Sequence, residues 1–138
     1  MQQTLQTLAA PAGRVLLALI FVSSGFSKIG AYEATQGWMA ASGVPGVLLP
    51  LVIVLEIGGG LAIMAGWQTR ISAFLLAGFT LVAGLVFHSN FGDQAQMISF
   101  MKNLAIAGGF LQLVSHGPGA FSLDNWKARG TTLKQQTA

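Results

Sequence analysis

The sequence contains no cysteine. This absence excludes disulfide bonds, thiolate metal sites, cysteine nucleophiles and thiol redox chemistry. Charge is also scarce: only 8% of the 138 residues are charged, whereas an ordinary soluble domain carries about 25%. Four residues are acidic and seven are Lys or Arg, which gives a formal net charge of +3. Most of the chain therefore does not form the surface of a water-soluble domain, and no nucleic-acid partner is expected.

Long apolar runs take the place of the missing charges. Hydrophobic residues make up 53% of the chain, and four stretches approach the roughly 20 residues that a helix needs to cross a bilayer. The predicted spans cover about residues 12–29, 47–66, 71–89 and 97–115. We expect the first span to be retained, because no basic residue precedes Arg14 and no A-x-A-like cleavage site follows. The sequence thus predicts an all-α protein, an integral membrane four-helix bundle in the lipid bilayer.

Basic residues are distributed unequally between the two sides of this predicted bundle. Four spans place both termini on one side, which carries more Lys and Arg than the other. The two sets are Arg14, Arg70, Lys127, Arg129 and Lys134 on the side of the termini, and Lys28 and Lys102 on the opposite side. The positive-inside rule then predicts that both termini are cytoplasmic.

The first outer loop, Gly30 to Gly46, is the longest connection between spans. Within it, Glu33–Ser42 is predicted to form a short interfacial helix, because Gly43 and Pro45 would end it and Trp38 suits a headgroup region.

The second span contains VIVLEIGGGL, which places Glu56 just before three glycines. Glu56 lies nine residues into the span, roughly 14 Å deep, where a carboxylate needs a partner or a function. A structural role for Glu56 and a role in ligand or proton binding are both open. The glycines, Gly59 among them, allow close approach either of a neighbouring helix or of a planar ligand.

Four further polar residues are predicted to lie with Glu56 in the outer half of the bundle. Lys102 is the expected partner of Glu56, because counting along the fourth span places it within side-chain reach. Asn103, His88 and Lys28 are expected nearby, although Lys102 and His88 could instead be simple interfacial residues. No metal or haem is expected, because the second histidine, His116, falls at the opposite membrane surface.

Five motifs resemble those of a known family. In chain order they are RVLLALIFVSSGFSKIGAY, GVPGVLLPLVIVLEIGGGLAIMAGWQTR, FHSNF, MKNLAIAGGFL and GPGAFSLD. Between residues 14 and 124 this series resembles the DoxX family of small four-helix bacterial inner-membrane proteins. We accordingly divide the chain into a DoxX-like four-span membrane domain, residues 1–124, and a polar cytoplasmic tail, residues 125–138.

The resemblance implies a redox setting but supplies no catalytic residues. The family is named for a membrane subunit linked to sulfur-compound oxidation and quinone reduction, and other members are partners in redox-stress assemblies. The leading hypothesis is a subunit that binds a quinone-like or other hydrophobic molecule through Glu56, Lys102, Asn103, His88, Lys28 and Gly59. A redox-enzyme subunit would supply electrons, and a homo-oligomer is also considered. The alternatives are a small proton-coupled transporter or channel, and a scaffold that anchors a soluble oxidoreductase.

Overall fold

Helices account for nearly all of residues 2–136, the part of the chain that the structure, a computed structural model, describes. In chain order they are α1 (Gln2–Gly30), α2 (Tyr32–Ala41), α3 (Leu49–Val54), α4 (Gly60–Ala65), α5 (Thr69–Phe87), α6 (Gln94–His116) and α7 (Leu123–Gln136). No strand occurs within that part, so the predicted all-α class is confirmed. The predicted tail begins inside α7, and its last two residues, 137 and 138, lie outside the described part.

Four helical segments are long and apolar enough to cross a membrane. They are Gln3–Gly30, Gly46–Ala65, Thr69–Phe87 and Gln94–His116, and they confirm the four predicted spans. The short helix predicted in the first outer loop is also confirmed, as α2. We call the end of the bundle with α2 and the α5–α6 loop the lid end. We call the end with the α4–α5 turn and α7 the terminal end.

The second span is a composite helix. A 3₁₀ turn (Gly46–Leu48) leads into α3, and a five-residue π turn (Leu55–Gly59) joins α3 to α4. A π turn holds one residue more than an α turn, so it changes the direction in which the following side chains point. The π turn contains Glu56.

The close-packed part of the bundle lies towards the terminal end. Phe21 of α1 meets Phe110 of α6 edge to face, with ring centroids 5.4 Å apart. Ile63 and Leu76 bring α4 and α5 into the same buried cluster. Helices α5 and α6 form the most extensive pair in the bundle. This cluster fixes the four spans relative to one another at one end.

Helix α1 and the second span cross with their backbones very close together. A Cβ atom added at Gly60 would lie 2.7 Å from Val22 Cγ2 and 3.3 Å from the backbone oxygen of Ala18. From the other side, a Cβ atom at Gly25 would lie 2.5 Å from Ile57 Cγ1. Small residues permit this kind of approach between membrane helices, where packing replaces the hydrophobic driving force found in water. The crossing therefore requires glycine at both positions.

The terminal end is closed by a residue from beyond the fourth span. The Asp124 carboxylate accepts hydrogen bonds from the backbone of Gln68 at 2.8 Å, and from the backbone and hydroxyl of Thr69 at 2.9 and 2.8 Å. It thereby caps the N-terminus of α5, whose own N-cap residue, Gln68, makes no side-chain cap. Beside it, the buried Arg14 donates to the carbonyl of Phe121.

This cap persists into acid. Burial of the Asp124 carboxyl raises its pKa, but the hydrogen bonds from Thr69 and Gln68 outweigh burial, and the pKa lies below its ordinary value of 3.8. Because the folded-state pKa is depressed, the carboxylate stabilises the fold above that ordinary value. The contribution is lost only as the pH falls through the lower folded-state pKa.

The glycine crossing can be tested with two alanine variants of the same glycine run. Gly60→Ala should lower the free energy of unfolding by about 1–3 kcal/mol, because the added methyl group overlaps Val22 and approaches backbone. Gly58→Ala is the matched control, since nothing lies within 4 Å of an added Cβ atom there. It should be neutral or stabilise by up to about 1 kcal/mol. Reversible unfolding in mixed micelles measures both, and equal effects would contradict a tight crossing at Gly60.

Candidate functional site

A cavity of about 370 Å³ lies in the lid-end half of the bundle, beneath α2. The second span packs against α5 through the π turn and α4, whereas α3 packs against α1 and α2. The cavity lies between α3 and α5, and residues of α1, α2 and α6 also line it. Its walls are mainly apolar, with a few polar side chains, the usual character of a small-molecule site. The polar lining residues are Ser24, Lys28, Thr35, Glu56, Thr80, His88 and Asn103.

An ion pair forms part of the cavity wall. Lys28 Nζ lies 2.9 Å from Oε2 and 3.0 Å from Oε1 of Glu56. Ser24, one helical turn before Lys28, accepts a hydrogen bond from the ammonium at 2.6 Å and donates to Glu56 Oε1 at 3.3 Å. Glu56 is only 3% exposed, while the Lys28 side chain is 22% exposed towards the lid end. The pair thus links a buried carboxylate to a partly accessible ammonium.

The two Glu56 oxygens are not equivalent. Oε1 accepts hydrogen bonds from both Lys28 and Ser24. Oε2 is close enough to Lys28 for charge attraction, but the angle of approach is not that of a hydrogen bond. Within residues 2–136, no group donates a hydrogen bond to Oε2. A buried acceptor without a donor is uncommon in folded proteins and calls for an explanation.

His88 and Asn103 also line the cavity, as the sequence predicted they would accompany Glu56. His88 Nδ1 lies 2.8 Å from Gln96 Oε1, which anchors the end of α5 to the first turns of α6. Asn103 of α6 packs against Gly84 of α5. His116 lies at the terminal end. Within the described part of the chain, no three His, Asp or Glu side chains are grouped as metal ligands.

Helix α2 forms the roof of the cavity. Trp38 stacks on Phe87 at the end of α5, with ring centroids 4.3 Å apart and planes 21° from parallel. Met39, on the same short helix, is buried and lines the cavity. The amide of Gln36 donates to the carbonyl of Gly46 at 3.2 Å, which ties α2 to the start of the second span. We call α2 the lid, because it separates the cavity from the lid-end surface.

The predicted pairing of Glu56 with Lys102 is wrong, because Glu56 forms its ion pair with Lys28. Helix α6 packs on α5 along another face, so Lys102 points outward into a separate shallow groove beside Met97 and Met101. Counting residues along a span predicts depth, but depth does not reveal which way a side chain points around its helix. The signal in favour of Lys28 was its i, i+4 spacing with Ser24 on a helix that crosses the glycine run.

Gly59 does not line the cavity either. An added Cβ atom there would meet the Leu76 side chain of α5 at 3.3 Å, so the space beside Gly59 is filled by a neighbouring helix. Of the two roles considered for the glycines, the structure shows helix packing. Sequence reasoning did not select Thr80, which lines the cavity from α5, as a site residue, and it missed the stacking of Trp38 on Phe87.

The fold and the cavity define the class: a small α-helical membrane protein of four spans that contains a ligand-sized cavity at one end. The DoxX family model matches residues 9–89, more than half of the chain, and the chain belongs to the DoxX family. The matched residues include α1, the lid, the composite second span and α5.

Two similar proteins come from Escherichia coli. Inner membrane protein YqjF is 50% identical over 120 residues, which are 87% of this chain and 92% of that protein. Inner membrane protein YphA is 38% identical over 118 residues, 80% of this chain and 84% of that protein. A more distant relative, the Surfeit locus protein 4 homolog of Drosophila melanogaster, is 26% identical over 125 residues, which cover 40% of its length. No solved structure matches the chain significantly. The spans and these relatives identify a multi-pass protein of the bacterial inner membrane.

A double-mutant cycle tests the ion pair. Lys28→Met should lower the free energy of unfolding by about 1–3 kcal/mol, because it leaves a buried carboxylate without its cation. Combined with Glu56→Gln, the loss should be smaller than the sum of the single losses, with a coupling of about 1 kcal/mol or more.

Lys102→Met is the control for this cycle. It removes an exposed ammonium of the same type and should change stability by no more than about 0.5 kcal/mol. Its effect should add to that of Glu56→Gln without coupling. Coupling of Glu56 to Lys102, with none to Lys28, would contradict the observed pairing.

Proposed function

We propose that the protein binds a small, mainly apolar molecule with a polar ring, of the quinone class, in the lid-end cavity. In this proposal it acts as the membrane subunit of a redox assembly, and a partner enzyme exchanges electrons with the bound molecule. The observation that carries the proposal is an apolar cavity of about 370 Å³ with a buried ion pair in its wall. A site for a purely apolar lipid tail would have no use for these charged groups, which are costly to keep in a membrane.

The lining suits the two parts of such a molecule. Glu56, Asn103 and His88 all line the cavity and supply polar contacts for a ring with oxygen substituents. Val52 of the second span and Val82 of α5 also line it and offer apolar contacts for a tail. A quinone held here would supply reversible two-electron chemistry. The protein's own groups bind and orient the ring and limit its contact with water.

The redox role of the assembly is supported by the family rather than by the cavity. The DoxX family resemblance suggests a partner that handles electrons, and the cavity suggests where the shared small molecule binds. Binding is therefore the step that this chain performs in the proposal, and it can be tested without the partner.

A cavity-filling variant tests ligand binding. Ala83→Phe, on the cavity wall of α5, should weaken binding of a short-chain alkyl benzoquinone about 10-fold or more, because the new ring occupies the space of the ligand. Leu85→Phe is the control: Leu85 is on the same helix and is exposed at the bundle surface. Binding to nanodisc-embedded protein is measured with lipid-only nanodiscs subtracted. Equal binding by the two variants, both still folded, would contradict a ligand site in this cavity.

We also propose that both termini face the cytoplasm. The terminal end carries Arg14, Arg70, Lys127 and Arg129, whereas the lid-end half carries Lys28 and Lys102. This excess of Lys and Arg at the terminal end supports the proposed orientation. Reporter fusions after Gln68 and at the C-terminus should report the cytoplasm, and a fusion after Tyr32 should report the periplasm. The opposite pattern would place the cavity at the cytoplasmic surface.

A further inference from the structure

The hydroxyl groups that line the cavity already have their hydrogens engaged within the protein, whereas the buried Glu56 Oε2 has no donor among the described residues. Thr80 donates its hydroxyl hydrogen to the carbonyl of Leu76 at 2.7 Å, and Thr35 donates to Ala31 at 2.8 Å. Their hydrogens are thus bound within their own helices, and the lone pairs on their oxygens remain. Ser24 donates to Glu56.

The ion pair follows the same pattern. Two of the three N–H groups of Lys28 are directed at Ser24 Oγ and Glu56 Oε1. The Lys28 side chain is 22% exposed and also lines the cavity, so its third N–H is not confined to the closed interior. Glu56 Oε2, in contrast, is buried and has no hydrogen-bond donor among the described residues. An ionised carboxylate can only accept hydrogen bonds, so what it lacks is a donor.

His88 also lines the cavity, and its Nδ1 lies 2.8 Å from Gln96 Oε1. In the tautomer in which Nδ1 carries the proton, Nε2 has a lone pair and no hydrogen. Asn103, also on the wall, has both a donor and an acceptor and adapts to either kind of ligand. Among the described residues that line the cavity, the buried polar atom without a partner is Glu56 Oε2, and it requires a hydrogen-bond donor.

From this inventory we infer that the cavity selects a ligand that donates hydrogen bonds, a hydroxyl-bearing ring of the hydroquinone or phenol class, over the acceptor-only quinone. The inference rests on the proposed function and names the form of the ligand that the same site retains. A ligand hydroxyl that reaches Glu56 Oε2 supplies the missing donor, whereas a quinone carbonyl at the same place would put one acceptor against another. The apolar walls and the internally neutral Lys28–Glu56 pair favour an uncharged donor over an ammonium group.

The inference is tested by comparing three ligands of nearly the same shape. A short-chain alkyl hydroquinone, the corresponding quinone and the hydroquinone dimethyl ether are titrated without oxygen into wild-type protein in nanodiscs, with lipid-only nanodiscs subtracted. The hydroquinone should bind about 10-fold more tightly than either of the others, because only it donates hydrogen bonds. Equal or tighter binding of the quinone or of the ether would overturn the inference and leave the proposed function standing. Binding of none of the three would overturn the proposed function and the inference with it.

A paired substitution identifies the acceptor responsible. Glu56→Gln combined with Lys28→Gln leaves no unpaired charge and supplies an amide that both donates and accepts. In this variant, the roughly 10-fold preference for hydroquinone over quinone should fall to about 3-fold or less. Lys102→Gln, outside the cavity, is the control and should keep the full preference. The same undiminished preference in the paired variant would assign the selection to other groups and overturn the role of Glu56. The wild-type comparison remains decisive if the paired variant does not fold.

Discussion

Gly25 of α1 and Gly60 of the second span let these two helices pack closely, because Ile57 lies against Gly25 and Val22 lies against Gly60. This crossing determines where the neighbouring residues of both helices lie. Lys28 is one turn beyond Gly25, and Glu56 is one turn before Gly60, so the close crossing brings the two charged groups to the same level. A wider separation of the helices would leave the carboxylate alone in an apolar environment, where an unpaired charge is costly. The close packing of α1 against the second span and the pairing of Lys28 with Glu56 therefore depend on each other.

The two halves of the bundle differ in how their interiors are filled. Towards the terminal end, aromatic and aliphatic side chains such as Phe21, Phe110 and Ile63 fill the interior. Towards the lid end, α3 diverges from α5 and the interior stays open. The π turn, with Glu56 inside it, stands at the border between the two halves. A buried ion pair contributes little net stability compared with a well-packed apolar pair, so stability alone does not account for charged groups on the cavity wall.

Much of this fold could be predicted from the sequence, because hydrophobic length and glycine position are local properties. The four spans, the short helix of the first loop and the grouping of Glu56 with Lys28, His88 and Asn103 were all predicted from runs and spacings. The partner of Glu56 could not be predicted in the same way. Counting along the spans favoured Lys102, which lies further into its span than Lys28, but the actual choice depends on which face each helix turns inward. Which face of α6 turns inward is set by its packing against α5. That packing is a tertiary property and cannot be read from local sequence.

The cap on α5 has a consequence for the order in which the protein is made. Asp124 follows Thr69 by 55 positions, and the whole of the fourth span lies between them. When the third span leaves the ribosome, Asp124, which caps the first turn of that span, has not yet been translated. Until then, the amides of Gln68 and Thr69 must be hydrated at the membrane surface, because the carboxylate that binds them does not yet exist. Biosynthesis thus leaves one end of the bundle open until nearly all of the chain has been translated.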